Sequence, residues 1–203
     1  MAGVNGRATL PALSGQPLPA AMPWGSEADA RQWVNAVYRR QFRFVWRALR
    51  GLGVPEAQLD DAVQDVFIVV FRRRHDYRED RSERSWLFRI ARYVAGNVHR
   101  TRRRKGGLLP LQEELAGDAE PGPEQRLALK EAVDVLGRFL ETLDEDQREA
   151  FVCIELAGMT APEAAEALDA KLNTIYSRVR LARGRWERFV AGLSSVAKGV
   201  GHE

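Results

Sequence analysis

Residues 158–185 read GMTAPEAAEALDAKLNTIYSRVRLARGR, and this stretch predicts two helices separated by a tight turn. Thr160 followed by Glu163 three residues later is typical of a capping box, so a short helix begins at this point. A turn at 169–171 comes before a longer basic helix, which is predicted over about 173–190. A short helix, a tight turn and a longer second helix form the pattern of a helix-turn-helix.

The second helix of a helix-turn-helix enters the major groove and presents the side chains of its early turns to the base edges. The candidates for base contacts are Asn173, Thr174, Tyr176, Ser177, Arg178 and Arg180. The candidates for backbone phosphates, further along the helix, are Arg183, Arg185 and Arg188. An ordinary amphipathic helix could also end in arginines, because they suit the helix dipole. The capped short helix in front of it favours DNA binding.

The chain before this unit is helical too, and it contains one interruption. Apolar residues at steps of three and four cover 129–143, and Asp144 with Gln147 predicts the cap of a further helix that Gly158 ends. Residues 106–123 are rich in Gly, Pro and acidic residues without periodicity, which indicates a flexible linker. A linker of this length spans roughly 55–60 Å when extended. The N-terminal half (26–105) and the C-terminal half (124–190) can therefore stand far apart.

Three amphipathic helices are predicted in the N-terminal half. The first begins at a Ser26 cap and runs to about Arg50, with apolar residues at helical spacing: Trp33, Val37, Phe44, Val45, Ala48, Leu49 and Leu52. The second covers about 55–75. The third follows a polar turn, buries one face from Trp86 onward and runs into a basic end. Helices of this kind predict a compact bundle, so the fold class is all-α, with two small helical domains joined by a flexible linker.

The third helix combines aromatic and basic side chains. Bases that have left the duplex are held by stacking on aromatic rings, while Arg and Lys hold the backbone. The combination therefore predicts contact with single-stranded or melted DNA. Trp86 is expected in the core, and the residues expected at the DNA are Tyr77, Arg89, Arg92, Tyr93, Arg100, Arg102, Arg103 and Arg104.

Residues 60–67, DDAVQDVF, place Asp61, Gln64 and Asp65 on one face of the second helix. Paired carboxylates can hold a metal ion, so a nuclease that uses Asp60, Asp61 and Asp65 is conceivable. The ligands beyond these carboxylates that a nuclease requires are not evident within the helix, and His75 lies too far along it. A protein-docking patch is therefore the favoured interpretation, with no metal, no cofactor and no catalytic residue.

The charge distribution, the cysteine content and the lack of long apolar runs restrict the classes of protein to which the chain can belong. The net charge of +3 conceals basic clusters at 72–74 and 100–105 and an acidic stretch at 113–149, which suggests more than one kind of partner surface. Cys153 is the only cysteine, so an internal disulfide is excluded and a reducing cytoplasm fits. No apolar run approaches the roughly 18 residues of a membrane span. Residues 1–25 and 191–203 are expected to be tails.

Taken together, three motifs in this order resemble the extracytoplasmic-function branch of the sigma-70 superfamily of transcription initiation factors. DDAVQDVF is similar to the family's polymerase-docking helix. SWLFRIARYVAGNVHRTRRR, residues 85–104, is similar to the segment that recognises and opens the −10 promoter element. Residues 158–185 resemble the helix-turn-helix that reads the −35 element. The resemblance covers about residues 30–190.

This resemblance implies a cytoplasmic sigma factor that binds core RNA polymerase and promoter DNA, with an anti-sigma factor as a further expected partner. The chain departs from the family pattern at five positions: Tyr93, Asn97, Lys171, Asn173 and Tyr176. In the family, the position of Tyr93 contacts a flipped base of the −10 element, whereas Lys171 and Asn173 replace a Ser cap and a Gly at the start of the recognition helix. Asn97 joins the expected −10 contacts and Lys171 joins the expected −35 contacts. The departures imply an unusual promoter sequence. The linker is expected to bridge the two elements, which lie more than one helical turn of DNA apart.

The residues alone also allow two other classes of protein. A stand-alone helix-turn-helix regulator would bind an operator without polymerase, as a dimer on a two-fold site. A metal-dependent nuclease would cleave DNA with magnesium. Neither class would use the acidic helix face to dock on polymerase.

Overall fold

A computed structural model of the chain describes residues 26–104 and 123–199, which contain seven α-helices and no strand. The N-terminal half contains α1 (Glu27–Gly51), α2 (Leu59–Arg72) and α3 (Glu83–Arg104). The C-terminal half contains α4 (Pro123–Glu141), α5 (Glu145–Phe151), α6 (Ala161–Ala167) and α7 (Leu172–Gly199). A π-helical turn, Val152–Leu156, continues α5. Within the described residues, no helix has the length and apolar content that crossing a membrane requires.

The start of α1 confirms the predicted cap. The Ser26 hydroxyl accepts a hydrogen bond from the Asp29 amide at 3.2 Å, so one of the unpaired N–H groups at the helix start is satisfied. The helix ends where Gly53 adopts φ +83°, a conformation that side chains with a Cβ rarely tolerate. Along α1 the buried residues follow the predicted stripe, and Trp33 is half-buried beside it.

The second helix is shorter than predicted. The sequence favours one helix over 55–75, but separate 3₁₀ turns occupy Glu56–Gln58 and Arg74–Asp76, and only Leu59–Arg72 is α-helical. The backbone leaves the helix at Arg73, where φ is −106° and ψ is 16°. The Arg74 guanidinium then donates to the Phe71 carbonyl at 2.8 Å and satisfies one of the orphan acceptors at the helix end.

Aromatic rings organise the core of each half. In the N-terminal half, Tyr77 packs between Trp33 and Trp86, with ring centroids at 5.4 Å and 5.2 Å. In the C-terminal half, Phe139 is fully buried at the centre of a cluster that contains Phe151, Trp186 and Phe189. Burial of these apolar surfaces is the main favourable contribution to folding of both bundles.

The last helix is longer than predicted. The basic periodicity suggested an end near residue 190, whereas α7 continues to Gly199. No proline interrupts this segment, and a single glycine inside a helix costs only about 1 kcal/mol relative to alanine. Gly192 therefore does not stop the helix.

The two halves, which the linker would allow to stand far apart, pack directly against each other in this structure. The α3 helix lies against α6, and the C-terminal end of α1 lies against the π-helical turn. The predicted linker at 106–123 lies almost wholly outside the described residues, as do the predicted tail at 1–25 and residues 200–203 of the C-terminal tail. Direct contact is compatible with a long linker, because the length of a flexible linker sets only the maximum distance between the two halves.

Thr160 closes a complete capping box at the start of α6. Its hydroxyl accepts from the Glu163 amide at 3.4 Å, and the Glu163 carboxylate accepts from the Thr160 amide at 2.8 Å. We expect Thr160→Ala to lower the free energy of unfolding by about 1 kcal/mol, measured by urea denaturation, because the cap is lost. Thr101→Ala, an exposed change inside α3, is the control and is expected to stay within about 0.5 kcal/mol of the unaltered chain. Equal losses in both variants would contradict the assigned cap.

Candidate nucleic-acid and protein interfaces

The acidic face of α2 projects into solvent. Asp61, Gln64 and Asp65 are exposed, while the opposite side of the helix buries Ala62, Val63, Val66 and Phe67 in the core. The apolar side fixes the orientation of the helix and therefore of the three polar side chains. The structure brings the predicted docking residues together on one continuous surface.

An apolar groove lies next to this acidic face, between α1 and α2. It has a volume of about 1040 Å³, and its walls include Tyr38, Phe42, Gln64, Phe67 and Ile68. Tyr38 and Ile68 are 42% and 40% exposed, and they line the same groove, so they form one contiguous apolar patch. The sequence analysis missed this groove, although both residues lie off the predicted buried stripes and could have indicated it. Acidic side chains beside an exposed apolar groove form a surface suited to a protein partner.

The carboxylates of α2 do not belong to a metal site in the described residues. Across 26–104 and 123–199, no three His, Cys, Asp or Glu side chains lie close enough together to hold an ion. This finding gives the nuclease alternative no support from Asp60, Asp61 and Asp65. Burial raises the pKa of the Cys153 thiol, so this cysteine stays protonated inside the core.

The predicted −10 residues fall into different environments on α3 and the turn before it. Tyr77 and Tyr93 are half-buried and pack on the core, and the Tyr77 ring lies against two tryptophans. The expectation that Tyr77 is free to stack on a base therefore meets a ring already stacked within the protein. Asn97 accepts a hydrogen bond from Arg100. The arginines at the basic end of the helix are exposed: Arg100, Arg102, Arg103 and Arg104.

Two other predicted −10 residues, Arg89 and Arg92, contact the C-terminal half. The Arg89 guanidinium donates to the backbone carbonyls of Glu166 and Ala167, the latter at 3.3 Å. Arg92 forms an ion pair with Glu149 at 3.1 Å. Burial raises the pKa of Glu149, and the nearby positive charge of Arg92 opposes that shift. Both arginines are thus held by oxygen atoms of the other half.

Three further contacts to the C-terminal half, from α3 and from Ser82 just before it, were not predicted from the sequence. Arg84 donates to the Gly158 carbonyl at 3.1 Å, Ser82 donates to the Glu163 carboxylate at 2.8 Å, and Ser85 donates to the Glu163 carbonyl at 2.8 Å. Burial disfavours ionisation of Glu163, but hydrogen bonds from Thr160 and Ser82 outweigh it and lower the pKa of this carboxyl. Ser85 is only 1% exposed. The sequence shows only a serine at this position, so its burial against the C-terminal half had no signal in the local pattern.

The recognition helix α7 exposes most of its predicted base contacts. Its first turn is held by the Lys171 carbonyl, which accepts from the amides of Thr174 at 2.9 Å and Ile175 at 3.2 Å. Ile175 and Val179 face the core, as the spacing predicts. The exposed predicted residues are Lys171, Asn173, Tyr176, Ser177, Arg180 and Arg183, and Thr174 is half-buried. The Ser177 hydroxyl lies within hydrogen-bonding distance of the carbonyls of Asn173 and Thr174.

Several arginines of α7 are paired with acids of the neighbouring helix and turn. Arg178 forms an ion pair with Asp146, and its side chain is 23% exposed. Arg183 pairs with Glu155 at 2.6 Å, and Arg185 lies 4.0 Å from Asp144. The sequence showed these acids but not their pairing. Because they lie at or near the protein surface, such pairs are weak and can be exchanged for phosphate or base contacts.

Two family models match the chain, and they define its class. The model described as Sigma-70 region 2 matches residues 37–105, which include α2 and α3. The model described as Sigma-70, region 4 matches residues 134–185, which include the helix-turn-helix. The matched segments include α2, α3 up to Arg104 and the first half of α7.

The curated relatives agree with these models. The chain is 35% identical over 146 residues to RNA polymerase sigma factor CnrH of Cupriavidus metallidurans, an alignment that covers 68% of this chain and 76% of that protein. It is 30% identical over 138 residues to the ECF RNA polymerase sigma-E factor of Escherichia coli, covering 64% and 72% respectively. The chain therefore belongs to the RNA polymerase sigma factors of the sigma-70 family, in the extracytoplasmic-function (ECF) branch.

Solved structures show the same fold. CnrH in complex with the cytosolic domain of CnrY superposes with a TM-score of 0.62 at 26% identity, over 83% of this chain and 95% of that one. The sigma factor RpoE, in complex with the anti-sigma factor NepR from Bartonella quintana, superposes with a TM-score of 0.58 at 22% identity, over 80% and 97%. Both comparisons support the all-α fold with two sigma domains. Sigma factors as a family are initiation factors and not enzymes.

Proposed function

We propose that this sigma factor docks on core RNA polymerase through the acidic face of α2 and directs it to promoters through α3 and α7. The exposed triad of Asp61, Gln64 and Asp65 carries the docking assignment, because core packing holds all three outward on one rigid helix. The adjoining groove with Tyr38 and Ile68 adds apolar area to the same surface. On this surface the charged residues would orient the polymerase, and burial of the apolar groove would add to the affinity for it.

Promoter recognition is divided between the two halves. The basic end of α3, from Arg100 to Arg104, is suited to the backbone of DNA around the −10 element. The exposed early turns of α7 are suited to base edges of the −35 element in the major groove. The departures at Lys171, Asn173 and Tyr176 lie at the exposed start of α7, and Asn97 lies one turn before the basic end of α3. Tyr93 packs on the core beside that end. These departures change which promoter bases are read.

The proposal also extends to catalysis, cofactors, cellular location and a regulatory partner. The chain itself catalyses no reaction, needs no cofactor and acts on no small molecule, because docking and DNA reading account for its surfaces. Its place is the cytoplasm, where the polymerase and the chromosome are. An anti-sigma factor is a further proposed partner, since the related CnrH and RpoE were solved with CnrY and NepR bound.

Run-off transcription with purified core polymerase tests the proposal. The chain is added to core enzyme with a genomic promoter library, and transcripts are mapped to their start sites. Specific transcripts that depend on the chain support the proposal. Specific binding to an operator without polymerase would favour the stand-alone regulator, and failure to bind core polymerase at low ionic strength would overturn the docking assignment.

Charge reversal on α2 gives a sharper test of docking. We expect Asp61→Lys with Asp65→Lys to weaken binding to core polymerase by at least tenfold, because both carboxylates would face the partner. Affinity for duplex DNA through α7 should not fall, since these side chains lie in the other half. Binding is measured by fluorescence anisotropy of the labelled sigma factor.

The matched control places the same charge change elsewhere. Glu131 and Asp134 are exposed acids on α4, so Glu131→Lys with Asp134→Lys raises the net charge equally. It should bind polymerase as the unaltered chain does. If both double variants lose affinity to the same extent, net charge and not the α2 face governs binding.

A further inference from the structure

We propose that residues 17–22, Pro-Leu-Pro-Ala-Ala-Met, dock in the apolar groove between α1 and α2 of their own chain and cover it until core polymerase displaces them. The proposal rests on the function proposed above, because it concerns the regulation of the polymerase-docking surface. We call residues 17–22 the proline segment. It precedes the described residues, which begin at Ser26 in front of α1.

The groove is lined by aromatic rings from both helices. Tyr38 and Phe42 belong to α1, and Phe67 and Phe71 belong to α2. The centroid of the Tyr38 ring lies 4.8 Å from that of Phe67 and 5.4 Å from that of Phe42. Tyr38, Phe42 and Phe71 keep part of their surface open to solvent, so covering them with an apolar segment is favourable. Proline-rich segments in polyproline II conformation bind in aromatic-lined grooves of this kind.

The sequence in front of α1 has the composition of such a ligand. Pro11, Pro17, Pro19 and Pro23 disfavour a regular helix across this stretch and favour polyproline II, because proline fixes φ and lacks an N–H donor. Residues 8–25 contain no charged side chain. Docking therefore buries apolar groups without the cost of taking a charge out of water.

The proline segment has the length of the groove. Along α2 the groove extends from Asp60 to Arg72, which is about 18 Å at the 1.5 Å rise of an α-helix. Six residues in polyproline II span about 19 Å at 3.1 Å per residue. The α1 wall begins at Arg31, about 8 Å along the helix from Ser26. Residues 23–25 can span about 10 Å, so they are sufficient to turn the chain back into the groove.

Polar side chains along the groove suit the backbone of the proline segment. A polyproline II strand makes no internal hydrogen bonds, so its carbonyl groups need donors. Asn35, Tyr38 and Gln64 line the groove with exposed side chains, and each side chain carries a donor. The short connection to α1 gives the segment an effective concentration at the groove on the order of millimolar. A weak contact is therefore enough to occupy the groove.

The docked segment and polymerase would compete for one surface. Gln64 and Ile68 line the groove, and Asp61 and Asp65 are exposed on the same helix beside it. A polymerase that buries this surface must first displace the proline segment. The apparent affinity for polymerase is then reduced by the fraction of chains in which the groove is occupied. Occupancy of the groove thus sets a threshold for assembly with polymerase.

Methyl NMR with a spin label tests docking in the full chain. The chain has four isoleucines, of which Ile68 alone lines the groove. A nitroxide is attached at Gln16→Cys, just before the proline segment, and Cys153 does not react because it is buried and protonated. We expect the nitroxide to broaden the Ile68 methyl signal. Adding Leu18→Asp should sharpen the signal again, because the groove does not accommodate a carboxylate.

Two controls make the NMR result specific. Leu10→Asp places the same charge outside the proline segment and should leave the Ile68 signal broadened. In the second control, spin-labelled chain without isotope is mixed with isotope-labelled chain that has no spin label. Broadening of Ile68 in this mixture would mean that the segment occupies a second copy, which overturns docking within one chain. A sharp Ile68 signal in the spin-labelled chain, or equal broadening with Leu18→Asp, overturns the proposal as well.

Affinity for core polymerase tests the regulatory consequence and separates this proposal from the one on which it rests. We expect Leu18→Asp to raise the affinity about fivefold in fluorescence anisotropy, because the competing segment is removed, and Leu10→Asp to match the unaltered chain. Unchanged affinity of Leu18→Asp would overturn the covering role. Polymerase binding without broadening of Ile68 would refute docking alone. Broadening of Ile68 in a chain that never binds core polymerase would refute the proposed function and the covering role, while docking of the segment stands.

Discussion

Phe139→Ala is expected to lower the free energy of unfolding of the C-terminal half by about 3–5 kcal/mol. Phe139 is fully buried and makes edge-to-face contacts with Phe151 at 5.3 Å and Trp186 at 5.0 Å, and it also packs on Phe189. Alanine would remove the ring around which α4, α5 and α7 are assembled. The surrounding rings cannot fill the space without leaving their packed positions, so a cavity adds to the loss of buried apolar surface.

Urea denaturation followed by tryptophan fluorescence measures this loss, because Trp186 reports on the affected cluster. Leu127→Ala on the same helix is the control, since Leu127 is 59% exposed and its truncation should change stability by less than about 0.5 kcal/mol. A loss below about 1 kcal/mol for Phe139→Ala would contradict the central place of this ring. The variant should also bind −35 duplex DNA more weakly, since α7 rests on the same cluster.

Local sequence patterns predicted the helices well because their causes are local. The caps at Ser26, Asp144 and Thr160 are each made by a side chain and an amide three residues away, and all three form. Helical spacing likewise assigned Ile175 and Val179 to the buried side of α7. Helix ends were less predictable, as α2 shows, because a 3₁₀ turn and an α-helical turn differ little in their apolar spacing.

The predicted sites depended on tertiary contacts to different degrees. Exposure of Asp61, Gln64 and Asp65 followed from the opposite buried face, so it could be read from one helix. The pairing of Arg92 with Glu149 joins residues 57 positions apart in the chain, and no local pattern encodes it. Tyr77 was expected at the DNA because its turn is polar, but Trp33 and Trp86 come together there and enclose the ring.

Arg178→Ala is expected to cost roughly 1–3 kcal/mol of binding free energy at the −35 element, a loss of about fivefold to more than a hundredfold in affinity. Arg178 lies on the early turns of α7 and its guanidinium can reach a base edge. The loss should be restricted to one position of the element, because a base contact discriminates between sequences. Binding of the polymerase complex to a set of single-base −35 variants gives the measurement.

The ion pair of Arg178 with Asp146 supplies a second arm for the same experiment. Arg178 must leave Asp146 to reach DNA, so Asp146→Asn should strengthen −35 binding slightly in the unaltered chain. The same substitution should have no effect once Arg178 is alanine, because the competing pair is already absent. A loss of affinity that is uniform over all sequences would make Arg178 a phosphate contact. In that case discrimination would be assigned to the exposed side chains of Asn173, Tyr176 and Arg180, which carry no such internal partner among the described contacts.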